Sequence, residues 1–208
     1  MGRKSDAKER LIEAVLDLIW EGSYGSLRID DICAKAEVKK GSFYYFFPSK
    51  DALAVTALEH YWENSAKPFM DKHFSPSMTP MDRIQSYIKG VIQHQRDIAE
   101  QRGRVLGCSV LSIACETGTS DEAVANTARS IFSRKSKYLE SCIRDAIAEG
   151  EIPPIDPEER AAGLWALMEG SMAQVRILGD LKPLERLPSL AVSFLRSPVE
   201  GKNPTSAH

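Results

Sequence analysis

Apolar residues recur every three or four positions along almost the whole chain, and the strict alternation that marks strands is nearly absent. That period predicts helices throughout. The first runs from about Asp6 to Glu21, where Leu11, Ile12, Val15, Leu16, Leu18 and Ile19 share one stripe and Gly22 supplies a stop. A short helix follows over about Ile29–Ala36, with Asp30 and Asp31 near its positive end. A tight turn at Glu37–Lys39 leads to a third short helix, ended by Pro48. Ser49 then caps a fourth helix that reaches about Lys67. Beyond the proline-bearing loop Phe74–Asp82, helices are expected over about Pro80–Arg102, Val105–Glu116, Asp121–Gly150, Pro157–Leu178 and Pro183–Leu195. The expected fold class is all-α.

One stretch breaks the plain amphipathic pattern. Val38–Lys50, "VKKGSFYYFFPSK", crowds aromatic rings into consecutive positions between lysines. A core wants the rings without the lysines, and a solvated surface wants the reverse. Two short helices joined by a three- or four-residue turn form a helix-turn-helix, whose second helix enters the DNA major groove. In that setting Phe43 and Phe47, four apart, face inward. Tyr44, Tyr45 and Phe46 stand at the DNA surface beside Lys39, Lys40 and Lys50, and lysine and tyrosine hydroxyl both serve phosphate. The amide of Gly41, followed by Ser42, lies at the helix N-terminus, where anions are favoured.

The segment "RIDDICAKAEVKKGSFYYFFPSKDAL" resembles the DNA-binding segment of the tetracycline-repressor (TetR) family of bacterial transcriptional regulators. The matching residues are Ile32-Cys33, Ala36-Glu37-Val38, Lys40-Gly41-Ser42, the ring run Phe43 to Phe47, and Lys50-Asp51-Ala52-Leu53. Three residues depart from the family pattern. Glu37 stands where glycine is usual, at a cost of roughly 1 kcal/mol if the turn is left-handed. Arg28 replaces the usual capping Ser or Thr, so the capping oxygen is lost and a guanidinium becomes available for phosphate. Phe46 replaces a frequent histidine and offers apolar contact, for instance to a thymine methyl.

The resemblance implies an organisation: residues 1–50 as helix-turn-helix domain, 51–196 as a helical effector-binding and dimerisation domain, and 197–208 as a flexible tail. A single head reads few base pairs, so a homodimer is expected, with heads about one DNA turn (roughly 34 Å) apart on a double-stranded palindromic operator. The last two helices are the expected dimer face. "AAGLWALMEGSMAQVRILGD" is apolar on nearly every side, with Gly163, Gly170 and Ser171 permitting close approach, and a helix apolar all round must be covered on all sides. The middle helices should enclose a pocket for an unidentified small-molecule effector, with Trp62, Phe69, Tyr87, Cys108, Trp165 and Met172 as candidate walls. The expected function is effector-released repression.

Composition and charge restrict the alternatives. Hydrophobic residues make up 43% and charged residues 27%, the balance of an ordinary globular protein. Net charge is −2, but the first fifty residues carry nine Lys/Arg against eight Asp/Glu, clustered at the start and around the ring-rich stretch. No apolar run is long enough for a membrane span and no secretory signal is recognisable, so a cytoplasmic protein without membrane contact is expected. The four cysteines, Cys33, Cys108, Cys115 and Cys142, lack a framework spacing and are expected as free thiols. His60, His73, His94 and His208 form no metal-binding pair, and no phosphate loop or nucleophile elbow occurs, so neither cofactor nor metal nor enzymatic activity is expected. Two rival readings remain: a helical interaction module that has lost specific DNA binding, and a thiol-dependent enzyme using Cys108 or Cys142. Cys108 follows Gly107 at the opening of a predicted helix, where backbone dipoles lower a thiol's pKa. "GRVLGCSVLSIACE" also resembles a stretch in family members whose cysteine senses electrophiles or oxidants.

Overall fold

The computed structural model describes residues 2–117 and 122–197, with side chains from Asp6 onward. The expected tail therefore lies, from residue 198, outside the described residues. All regular structure among them is helical. The head comprises α1 (Gly2–Glu21), α2 (Ile29–Lys35) and α3 (Lys40–Phe46). Helix α4 (Lys50–Tyr61) widens into a π-helical turn, Trp62–Ala66, and continues as α5 (Lys67–His73). Then come α6 (Pro80–Arg102), α7 (Ser109–Thr117), α8 (Glu122–Ala148), α9 (Pro157–Leu178), α10 (Lys182–Glu185) and α11 (Leu187–Arg196).

The helix starts are written in the sequence. Ser49 Oγ accepts from the Ala52 amide at 3.1 Å, Thr79 Oγ1 from Asp82, and Asp156 Oδ1 from both Glu158 and Glu159. Pro80 and Pro157 occupy first-turn positions, where a missing N–H costs nothing.

Three boundaries differ from the pattern-based expectation. The fourth helix does not stop near Lys67, because the wide turn carries the chain on into α5. Helix α7 begins at Ser109 rather than Val105, because Gly107 adopts φ 70° and interrupts regular helix there. The last predicted helix is two pieces, the single turn α10 and then α11.

Two apolar clusters organise the packing. One joins the stripes of α1 to α4 with α7 and the first half of α8, through Leu11, Ile19, Ile32, Phe43, Leu53, Ile113 and Ile131. The other fills the space among α5, α6, α8, α9 and α11, with Ile84, Ile88, Leu139, Leu164 and Leu195 at its centre. Cys33 and Cys142 are buried, Cys108 is half-buried, Cys115 is exposed, and all four thiols are free.

Candidate functional site: a basic aromatic face and a buried cavity

Helix α3 presents two faces because its rings are consecutive. Phe43 and Phe47 are buried against the head, as their spacing of four predicts. Tyr44 and Tyr45 are 53% and 67% exposed on the opposite face. The exposed rings are steadied by buried neighbours: Tyr44 meets Phe43 edge-on at 5.3 Å, and Tyr45 meets the half-buried Phe46 at 4.9 Å. Nothing lies within 4 Å of a side chain added at Gly41, so this part of the helix start is open to solvent. Ser42 is half-buried beside it.

The turn before α3 is left-handed. Glu37 has φ 54°, the conformation glycine adopts at least cost, and still the turn forms. Arg28 is exposed at the N-cap of α2 and supplies no capping oxygen. Part of the cap survives, since the Arg28 amide donates to Asp31 Oδ2 at 3.0 Å. Lys39 is exposed. Lys40 is also exposed but pairs with Asp30 at 2.8 Å, a bond that holds the Asp30 carboxyl below and the Lys40 amine above their usual ranges. A phosphate would compete with Asp30 for this charge.

Lys50 is placed differently from expectation. Its ammonium turns inward, donates to the carbonyls of Tyr24 at 2.9 Å and Leu27 at 3.1 Å, and sits 4.2 Å from the Tyr24 ring centroid. Two of its three donors are therefore used to fasten the α1–α2 connection, so Lys50 staples the head and keeps one donor over.

The second site is a cavity of about 140 Å³ at the junction of α1, the π-helical turn, α5, α6, α8 and α9. Phe69, Tyr87, Cys108, Trp165 and Met172 all line it. Trp62 does not: it is buried in the cluster shared with the head, under the guanidinium of Arg134 at 4.7 Å. The wide turn turns Tyr61, Ser65 and Ala66 to the cavity and leaves Trp62 on the other side.

Two charged residues that the sequence reading passed over also face this space. Lys135, only 6% exposed, lies 5.7 Å from the ring centroids of both Tyr61 and Trp165. Burial disfavours its ammonium, but the acidic groups around it, Tyr61, Cys108, Tyr87 and Glu169, favour it more, and its pKa lies above the usual lysine value. Glu169 has an oxygen, Oε2, that is buried without a hydrogen-bond partner. Burial raises its pKa against the pull of Lys135 and of a hydrogen bond from the Cys108 thiol. The two charges interact across the cavity without forming a salt bridge. Both were visible as charges in apolar stripes: Lys135 falls between Ile131 and Leu139, and Glu169 is one turn from Trp165.

Cys108 does not have the lowered pKa expected from a helix start. Burial, and then the negative Glu169, push its thiol up to about 12. The Leu111 amide does donate to Cys108 Sγ at 3.4 Å, but this local effect is the smaller one.

The cavity and the DNA-binding head share a wall. Trp20, in the last turn of α1, lines the cavity and donates its Nε1 proton to the carbonyl of Gly107 at 3.0 Å. The buried amide of Gln95 brackets the same glycine, accepting from its N–H and donating to its carbonyl, each at 3.1 Å. A side chain at Gly107 would stand 2.9 Å from the Met172 carbonyl, so glycine is required there for space as well as for its φ. Nearby, Arg102 pairs with Asp17 and Glu21 of α1, and Arg176 bonds Ser112 Oγ at 2.7 Å and the Gly22 carbonyl at 3.3 Å. Among the described residues no cluster of three metal-ligating side chains exists, and no helix is long and apolar enough to cross a membrane.

Comparison with known proteins agrees with this geometry. Residues 11–57 match the bacterial regulatory proteins of the tetR family, and residues 80–189 match the tetracyclin repressor-like C-terminal domain. The HTH-type transcriptional repressor DhaR of Mycobacterium sp. (strain GP1) is 24% identical over 95% of this chain and 96% of its own length. The HTH-type transcriptional repressor NemR of Escherichia coli K12 is 25% identical over 93% of this chain and 96% of its own. Among solved structures, the regulatory protein TetR from Rhodobacter sphaeroides superposes with a TM-score of 0.81 at 24% identity, covering 90% of this chain and 98% of that one. The reduced form of E. coli NemR superposes with a TM-score of 0.77 at 23% identity, covering 93% and 100%.

Proposed function

The chain belongs to the tetracycline-repressor family of bacterial transcriptional regulators, and from that premise we propose that it is an effector-released repressor that binds a palindromic operator as a homodimer. It is a regulator, as its relatives are, and not an enzyme. The observation that carries the finer reading is the shared wall: Trp20 belongs to the first helix of the head and at the same time lines the cavity. A molecule that shifts Gly107 pulls on that helix directly. The ligand must bind the DNA-competent and DNA-incompetent arrangements unequally, and a wall made by both domains is where such a difference arises.

On the DNA side, Lys39, Lys40, Arg28, Ser42 and the Gly41 backbone serve phosphates in this reading, and Tyr44, Tyr45 and Phe46 face the bases. Glu37 is accommodated in the left-handed turn, which supports a head that keeps its DNA-reading geometry. The dimer face is supported by a stripe of small residues on α9, Ala162, Ala166 and Gly170, continuing into Ile177, 79% exposed, and Leu178. Nothing lies near Gly170, whereas Gly163 is covered by Phe194 of the same chain. Leu190 of α11 extends the exposed apolar surface.

The test is binding of a palindromic duplex from upstream DNA by fluorescence anisotropy across a salt series, with mass measured by light scattering. A dimer with salt-dependent binding is expected. A monomer at working concentration, or indifference to every candidate duplex in dilute buffer, refutes the reading. Trp20→Phe should retain operator binding and lose most of the response to effector; an unaltered response would remove the shared wall from the mechanism.

A further inference from the structure

We propose that the cavity is built for a small single-ring phenol, held by its hydroxyl between Lys135 and Glu169. The inference rests on the cavity being a ligand site and adds the chemical class of the ligand.

Size comes first. A dry cavity of about 150 Å³ lined by apolar side chains holds one benzene ring. The space here is about 140 Å³ and is walled by Trp20, Tyr61, Phe69, Tyr87 and Trp165, with Met70, Met168 and Met172 filling between the rings. Aromatic and thioether walls favour a flat, polarisable body.

The polar end sets the class. Lys135 brings a buried ammonium, a donor without acceptor capacity. Glu169 brings a buried oxygen with no partner. The unfilled Glu169 oxygen is costly, and the Lys135 ammonium, which also bonds Tyr61, has further donors, so the preferred ligand serves both. A carboxylate accepts from Lys135 but sets its charge against Glu169. An amine donates to Glu169 but meets Lys135, and a hydrocarbon satisfies neither. A hydroxyl accepts from the ammonium through its lone pairs and donates its proton to the carboxylate. It also serves if Glu169 is protonated, since the same oxygen then accepts from both. The apolar box selects a hydroxyl carried on a ring. Entry is provided for: Phe69 and His94 line both this cavity and the groove on its outer side between α5 and α6, so they form the partition between them.

The experiment is calorimetric titration of the full-length protein with phenol, catechol, benzoate, benzylamine and toluene, alongside operator anisotropy in the same buffers. Phenol and catechol should bind about tenfold or more tightly than the other three, the contribution of one charge-assisted hydrogen bond. Lys135→Met should weaken phenol by a similar factor and improve toluene. Glu169→Gln should keep phenol and admit benzoate. Circular dichroism confirms that each variant is folded, and catechol gives a second ligand should phenol bind too weakly to measure. Benzoate or toluene binding the native protein as well as phenol overturns the proposal. So does phenol binding that is indifferent to Lys135→Met, or no binding by any of the five. Phenol that binds as described and leaves operator affinity unchanged upholds this site and refutes effector release instead.

Discussion

Replacing Glu37 by glycine should stabilise the protein, and the size of the gain follows from one backbone angle. Glu37 sits at φ 54°, where an L-residue costs roughly 1–2 kcal/mol because its Cβ crowds the carbonyl. Glycine removes that cost but loses more backbone entropy on folding, roughly 0.5–1 kcal/mol. The balance is a gain of about 0.5–1 kcal/mol. The control is Glu37→Ala, which keeps the Cβ and the strain. The Glu37 side chain is exposed, so alanine should lie close to the native protein. For a chain of this length 1 kcal/mol moves the midpoint by about 2–4 °C, so glycine should melt about 1–4 °C above alanine, followed by far-ultraviolet circular dichroism. Both variants remove the same negative charge beside the DNA-facing helix, so both should bind operator more tightly and to the same extent. Glycine and alanine melting together would show that the turn carries no strain. Unequal operator affinities would show that the turn backbone itself reads DNA.

Lys50→Ala should cost about 1–3 kcal/mol of stability, because two carbonyls lose a charged donor, and should leave the salt slope of operator binding unchanged. A slope flattened by about one unit without loss of stability would return Lys50 to the phosphates. In alkylation followed by mass spectrometry at neutral pH, exposed Cys115 should react first, with Cys108 and Cys142, both pushed up to about 12 by burial, reacting only slowly until the protein is unfolded. Early labelling of Cys108 would contradict the burial argument. Burial also lowers the pKa of His73 and His94 below the usual 6.5, so the unfolded chain takes up their protons first. Their contribution is complete above about pH 6.5 and falls away as pH drops below it, and denaturant midpoints of a His73→Gln, His94→Gln double variant should decline less steeply over that range.

The head was legible because its signals are local and redundant. The Phe43–Phe47 spacing, the Ser49 cap, the Pro48 stop and the excess of rings all point to the same helix. Even the strain at Glu37 was foreshadowed, since the family resemblance puts glycine at that place and φ there is 54°. The inward bonds of Lys50 were not legible because sequence gives a side chain's charge and not its direction. Its partners are the Tyr24 and Leu27 carbonyls, and no pattern records where main-chain carbonyls point. Trp62 failed for a related reason. A helix of constant 3.6-residue period is assumed in placing faces, and the π-helical turn adds width just where the cavity begins, rotating Trp62 toward the head.

The polar pair in the cavity shows what a better reading would have weighed. Along α8 the buried stripe runs Val124, Ala128, Ile131, Lys135, Leu139, Cys142, Ala146, and the lysine occupies a core position by register alone. A lysine there has two ways out: its stem reaches past the core to water, or a counter-charge waits inside. The choice turns on neighbours. Trp165 and Tyr61 flank Lys135, closing the route to solvent, so the second applies, and a carboxylate must lie on the facing helix. Glu169 of α9 meets that requirement, one turn beyond Trp165. That they interact without touching is the informative part. Two charges placed solely for stability close on each other, as Arg102 does with Asp17 at 2.7 Å. A separated pair on the wall of a ring-lined cavity is the arrangement from which the proposed hydroxyl site is argued.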